Sequence, residues 1–244
     1  MSSHAYLAAN WSDIRRRVDE ACRAAGRDPT EVDILPVSKT FGPELIRAMV
    51  ALGVHRFGEN KVQEIRDKSA LLADCGIDWV MIGHLQTNKA KDVARLASEV
   101  QSLDRLELAE ALDRRLQHEG RALDVLVQVK TSSEPSKYGL PPEQLAGFLN
   151  NLRRYETLRV RGLMTLAIHS SEPAEIRACF RLLRELRDRE VRQGHDLTKL
   201  SMGMSGDFPL AVAEGATELR IGTAIFGKRA YPDSYYWPES TEGS

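Results

Sequence analysis

The sequence predicts an α/β fold: a single (β/α)8 TIM barrel with one extra helix ahead of its first strand. Three observations carry this. Short apolar runs alternate with amphipathic stretches along the whole chain, eight times over, the pattern that builds a parallel sheet wrapped in helices. The run "LDVLVQV" at 123–129 is almost unbroken in apolar character, as in strands covered on both faces. No GxGxxG follows the first apolar run, which weakens the competing open, doubly wound sheet.

Taken in order, residues 6–25 read as the extra helix, with Leu7, Ile14, Val18, Ala21 and Cys22 near one stripe. The first strand falls at about 32–38, and Pro43 suits the first turn of the helix after it. "VHRFG" is the second strand, followed by a helix over about 60–73, and "DWVMIG" is the third, with a helix from about Thr87. "EVQSL" is the fourth, and Leu106 to His118 has helical periodicity. After "LDVLVQV" comes a helix from Pro142 to Arg153, then the strand "LRVRGLMTL". A long charged helix from Pro173 to Gln193 stops at Gly194, a residue suited to a helix C-terminus. "LTKLSMG" is the seventh strand, 208–214 a short helix, and "ELRIG" the eighth strand. No linker or composition shift divides the chain, so one domain is expected over 1–230. Residues 231–244, polar and proline-containing, read as a loosely held tail.

Composition bounds the function. Of 244 residues 42% are hydrophobic and 28% charged, and the formal net charge is -1. That balance gives no basic field for nucleic acid or anionic membrane, and Arg15–Arg17 read as a solvated helix face. No apolar stretch approaches a membrane span, and the N-terminal segment lacks the apolar core of a signal peptide. Cys22, Cys75 and Cys179 are far apart and form no CxxC pair, so neither a disulfide framework nor a metal site is expected. The expected compartment is the cytoplasm.

Barrel enzymes build their chemistry at the C-terminal ends of the strands. Strand one ends at Lys39, an amine able to form a Schiff base, though a lysine there also simply marks where the chain meets water. The other strand ends bring Glu59 and Asn60, His84, Lys137 and Tyr138, and Met164 and Thr165. After strands seven and eight come "SMGMSGDF" and "LRIGTAIFG", with Ser205, Gly206, Gly222 and Thr223. Ser205 alone reads as a helix N-cap; the two glycine-containing loops together read as a phosphate site, at the strands where this fold often carries one. Arg220 is two residues before Gly222 and shares its side of the strand, facing either the barrel interior or the outside. An amine opposite a phosphate cradle suits pyridoxal 5'-phosphate. A sugar-phosphate aldolase or isomerase is the competing chemistry, with Glu59 and His84 as its acid–base candidates.

The motifs "VSKTF", "FGENKVQE", "IGHLQTNK", "RGLMTLA", "LSMGMSGDF" and "ELRIGTAIFG" stand in one order and spacing from about residue 6 to 229. In these the chain resembles the YggS/PROSC family of pyridoxal phosphate homeostasis proteins. The resemblance implies a fold-type III barrel similar to the N-terminal domain of alanine racemase. It makes Lys39 the Schiff-base lysine, with Ser205, Gly206, Gly222 and Thr223 as phosphate contacts and Arg220 facing the pyridine nitrogen. Asn60 and Met204 would lie near the cofactor, and His84 and Tyr138 at the rim of the site. Ile168 stands where the family often has proline, and Gly206 where a charged or small residue is usual.

The function so implied is to bind, shelter and release pyridoxal 5'-phosphate, with apo-enzymes as acceptors and the chain a monomer. No residue is assigned as catalytic and no metal is expected. A racemase or related amino-acid enzyme is the alternative. It would need a second proton donor on the opposite ligand face, which alanine racemase takes from a second domain, and this chain ends soon after strand eight.

Overall fold

The computed structural model describes residues 4–132, 134 and 138–228. Among them, eight parallel strands form one sheet in the order β1-β8-β7-β6-β5-β4-β3-β2. The strands are β1 (Asp33–Pro36), β2 (Arg56–Glu59), β3 (Asp78–Met81), β4 (Ala97–Leu103), β5 (Leu123–Gln128), β6 (Leu158–Met164), β7 (Lys199–Ser201) and β8 (Glu218–Ile221). A parallel bridge between Val37 and Gly58, with Ser38 N–H donating to the Gly58 carbonyl at 3.1 Å, joins β1 to β2 and brings the ring together. The (β/α)8 prediction holds.

The helices are α1 (Ala5–Ala24), α2 (Pro43–Val50), α3 (Val62–Leu71), α4 (Ala90–Leu96), α5 (Leu106–Glu119), α6 (Leu145–Leu152), α7 (Pro173–Arg192), α8 (Phe208–Ala213) and α9 (Thr223–Phe226). α9 was not expected: four residues are too few for periodicity to register. None of these helices is long and apolar enough to cross a membrane.

Strand alternation sorts the side chains into two layers. Phe57, Val100, Leu200 and Leu219 point outward into the apolar layer shared with Ile46, Ile65, Leu112 and Phe180 of the helices. Their neighbours Arg56, Glu99, Gln101, Lys199, Ser201, Glu218 and Arg220 meet in the barrel interior, where hydrogen bonds link them. Branched aliphatic side chains usually fill that space. Here its lower part is ionic, and only above it do Leu35, Val37 and Ile82 crowd the Cα of Gly58.

Helix α1 buries Leu7, Ile14, Val18 and Cys22, as its stripe predicts, against α8 and α9. Asn10 Nδ2 donates to the Ile225 carbonyl at 2.9 Å, and the Arg17 guanidinium lies 5.2 Å from the centre of the Phe208 ring. The extra helix therefore braces the two short helices that follow β7 and β8. The three arginines Arg15–Arg17 are exposed, as a solvated helix face requires, and Arg16 pairs with Asp13 and Glu20. Arg17, exposed as well and 3.8 Å from Asp13, also lays its guanidinium over an aromatic face.

Candidate functional site

At the C-terminal end of the barrel, β1, β8 and β7 are adjacent, so Lys39, the Gly222 loop and the Ser205 loop sit side by side. A Cβ on Gly222 would lie 3.3 Å from the Val37 carbonyl oxygen, two residues before Lys39. Lys39 is half-buried at this mouth.

The loop after β7 is a tight turn. Met204 N–H donates to Asp207 Oδ1 at 2.6 Å, and the Met204 carbonyl accepts from Asp207 and Phe208 N–H. Gly203 opens it at φ 94, and a Cβ there would lie 2.6 Å from that of Ala211; only glycine suits both conditions. Asp207, not Ser205, occupies the N-cap of α8. The Ser205 hydroxyl instead turns to the neighbouring loop, accepting from Ala224 N–H at 3.4 Å. Among the described residues, the backbone N–H groups of Ser205, Gly206, Gly222 and Thr223 donate to no protein acceptor. Four free N–H groups from two touching loops, with the Ser205 and Thr223 hydroxyls, fit a phosphate group.

Arg220 faces the interior, 4% exposed. Nη1 donates to Ser201 Oγ and Nη2 to the Thr165 carbonyl, both at 2.7 Å. Burial pushes its guanidinium down to about 10, against the pull of Glu218 and Asp207, so it is a cation at neutral pH. A guanidinium can only donate hydrogen bonds and takes no proton. The chain of bonds continues downward with consistent polarity: Ser201 Oγ donates to Gln101 Oε1, and Gln101 Nε2 donates to Glu99 and Glu218.

Asn60 is half-buried just beyond β2, with its backbone so close to Gly83 that a Cβ there would strike the Asn60 carbonyl. Met204 is 41% exposed on its turn. His84 and Tyr138 form a stack across the rim, ring centres 3.9 Å apart; burial lowers the imidazole pKa, Asp104 pulls it up and Arg105 pushes it down. Lys137 and the residue 231–244 tail lie outside the described residues.

Glu59 does not reach the mouth as an acid–base group. It is fully buried on the other face of β2, where Oε1 accepts from Ser38 Oγ at 2.6 Å and Lys68 Nζ at 2.7 Å. Lys68 also donates to the Ser38 carbonyl and to Glu64 Oε2, each at 2.8 Å. Sequence reasoning missed this cluster. The available signal was a lysine standing on the stripe of α3 marked by Val62 and Ile65, one turn past Glu64.

Burial lifts Glu59 to about 7 from its ordinary 4.5, with Lys68 pulling it down and Glu64 pushing it up. Between those two values the folded state holds a proton that the unfolded chain has released. Stability rises with pH only where the unfolded state binds more protons. This group's contribution is therefore full below about pH 4.5 and declines as pH rises to about 7. Relative to Glu59→Gln, the wild type should lose about 3 kcal/mol over that interval. Urea unfolding of both proteins across the range measures it, and two parallel stability profiles would contradict it.

The fold and mouth define a class: a barrel of the racemase type with a lysine just past β1 and unpaired backbone N–H groups in the loops after β7 and β8. The family described as alanine racemase, N-terminal domain, matches residues 6–230. A pyridoxal phosphate homeostasis protein of Aquifex aeolicus is 40% identical over 221 residues, covering 90% of this chain and 97% of the relative. Another, from Pseudomonas aeruginosa, is 42% identical over 225 residues, covering 92% and 96%. PipY of Synechococcus elongatus, solved with PLP bound, superposes with a TM-score of 0.77 at 38% identity, covering 86% of this chain and all of that one. The chain belongs to the pyridoxal phosphate homeostasis protein family.

Proposed function

We propose that this chain binds pyridoxal 5'-phosphate at the barrel mouth and serves intracellular supply of the cofactor by holding and releasing it. The observation that carries this reading is the set of free N–H groups on the Ser205 and Gly222 loops beside the strand that presents Lys39. When bound, the cofactor supplies an aldehyde that condenses with a primary amine. Lys39 offers that amine, while Ser205, Gly206, Gly222 and Thr223 hold the phosphate. Arg220, fixed by Ser201 and Thr165, donates toward the ring nitrogen. Asn60 and Met204 border the ligand, and His84 with Tyr138 walls the open side. A buried guanidinium cannot hand a proton to the ring at neutral pH, which favours storage over carbanion chemistry. We further propose a cytoplasmic monomer whose acceptors are apo-enzymes that use the cofactor. Its three cysteines are buried as free thiols.

The test is transfer. Loaded protein is placed against an apo-aminotransferase, either in direct contact or across a dialysis membrane, and recovery of transaminase activity is followed. Recovery is expected in both arms and faster with contact. A chain that takes up no cofactor would overturn the reading, as would racemisation of alanine or serine at about 1 s⁻¹ or faster, an ordinary enzyme rate.

A further inference from the structure

Both peptide groups flanking Lys39 are bound to the same buried cluster. On one side, the Ser38 carbonyl accepts from Lys68 Nζ at 2.8 Å. On the other, Thr40 N–H donates to Glu64 Oε2 at 2.8 Å. Lys68 and Glu64 are themselves paired at 2.8 Å, and Glu59 ties Lys68 to the Ser38 hydroxyl. The cluster therefore grips the chain immediately before and after the lysine while leaving the Lys39 side chain to the mouth.

The grip has something to hold. Thr40 has φ 69 and is the one non-glycine residue at positive φ among the described residues. For a β-branched side chain that conformation is a true outlier, and it persists only where its surroundings impose it. Its hydroxyl, like Glu59 Oε2, is buried without a hydrogen-bond partner. The turn at Thr40 sends the chain off toward Pro43 and α2, and so sets the direction from which Lys39 enters the site. Lys68, 9% exposed in its side chain and committed to three oxygens, is no second amine for the aldehyde.

We propose that Lys68 and Glu64 are positioning residues for Lys39: they hold the 38–40 segment in its left-handed turn, and that hold governs how long the site keeps its cofactor. The inference rests on the reading of Lys39 as the cofactor's amine. Releasing the hold lets Thr40 relax to an ordinary conformation and turns the amine away from the position it needs.

The experiment uses Glu64→Ala and Lys68→Met in the full chain. Glu64 is only half-buried, so its variant keeps the test alive if removal of the buried lysine prevents folding. Two readouts are taken. One is the rate at which the visible absorbance of loaded protein decays on dilution. The other is the pH profile of Lys39 labelling by an amine-reactive reagent in cofactor-free protein, read by peptide mass spectrometry. Cofactor loss should accelerate on the order of tenfold, the weight of relaxing one strained residue, and the labelling profile should shift. In a Thr40→Gly background, where the left-handed turn costs nothing, Glu64→Ala should change the decay rate little further. Wild-type decay and labelling in Glu64→Ala would overturn the proposal, and so would an undiminished effect in the glycine background. Failure of the wild type to develop visible absorbance at all would instead overturn the function proposed above.

Discussion

Lys39→Ala should leave a folded protein that develops no visible absorbance band with pyridoxal 5'-phosphate. The side chain is half-buried at the mouth and lies outside the apolar core, so its removal opens no cavity there. The bonds that hold the segment run through the Ser38 carbonyl and Thr40 N–H, which alanine retains. Stability should thus stay within about 0.5 kcal/mol of wild type, as for substitutions away from buried features. What disappears is the amine. The free N–H groups of the Ser205 and Gly222 loops and the Arg220 guanidinium remain, so the ligand is retained weakly and non-covalently, with the spectrum of the free aldehyde. Absorption spectroscopy on gel-filtered protein decides the matter. A variant that keeps the wild-type band places the reacting amine on another residue.

Arg56→Ala should cost about 3–5 kcal/mol, the usual penalty for breaking a buried ion pair by removing one partner. Arg56 reaches up from the barrel floor to donate to Glu218 Oε2 at 2.5 Å and Glu99 Oε2 at 2.7 Å. Burial works against its charge, but the two carboxylates outweigh burial and raise its pKa. Glu218 answers with a lowered pKa: burial pushes it up, and Arg56, with help from Gln101 and Lys199, more than offsets this. The carboxylate side chains are only 2% and 5% exposed. Without Arg56, the remaining direct salt bridge is that of Lys199, 2.9 Å from Glu99, and Glu218 keeps the Gln101 amide as its side-chain hydrogen-bond donor. A loss of that size is a large fraction of the 5–15 kcal/mol that holds a typical domain together. The midpoint of urea unfolding should fall with its slope unchanged. Replacing Arg56, Glu99 and Glu218 together by neutral residues of similar volume should recover most of the loss. A single variant as stable as wild type would show that these carboxylates do not depend on Arg56.

The site was legible to different depths at different residues. Lys39, Ser205, Gly206, Gly222 and Thr223 stood out because chemistry and strand position coincide in the chain itself. Arg220 was half legible: its phase relative to Gly222 followed from alternation, but whether that face was inside depended on closure of the barrel. Ser205 by itself suits an N-cap, a place Asp207 takes, and only its pairing with the Gly222 loop points to a phosphate. Lys68 and Glu59 were opaque. Their meeting joins α3 to β2 and β1, and no local pattern says that a lysine on a helix will lie beneath a strand end and hold its carbonyl.

By itself, then, the sequence determined what short-range physics controls. Alternating apolar runs and helical stripes set the element order. Proline and glycine placed helix starts and loops, and the position of one lysine and four loop residues after strands one, seven and eight marked the mouth. Tertiary structure decided what depends on contacts between residues far apart in the chain. Ring closure turned Arg56, Glu99, Gln101, Glu218 and Arg220 into one interior network. Packing of α3 against β2 placed a buried lysine between Glu59 and Glu64 and bound both to the 38–40 segment, where Thr40 takes a left-handed turn beside Lys39. The reason is physical: burial and charge pairing are properties of neighbours in space, and a sequence specifies those neighbours only through the fold it completes.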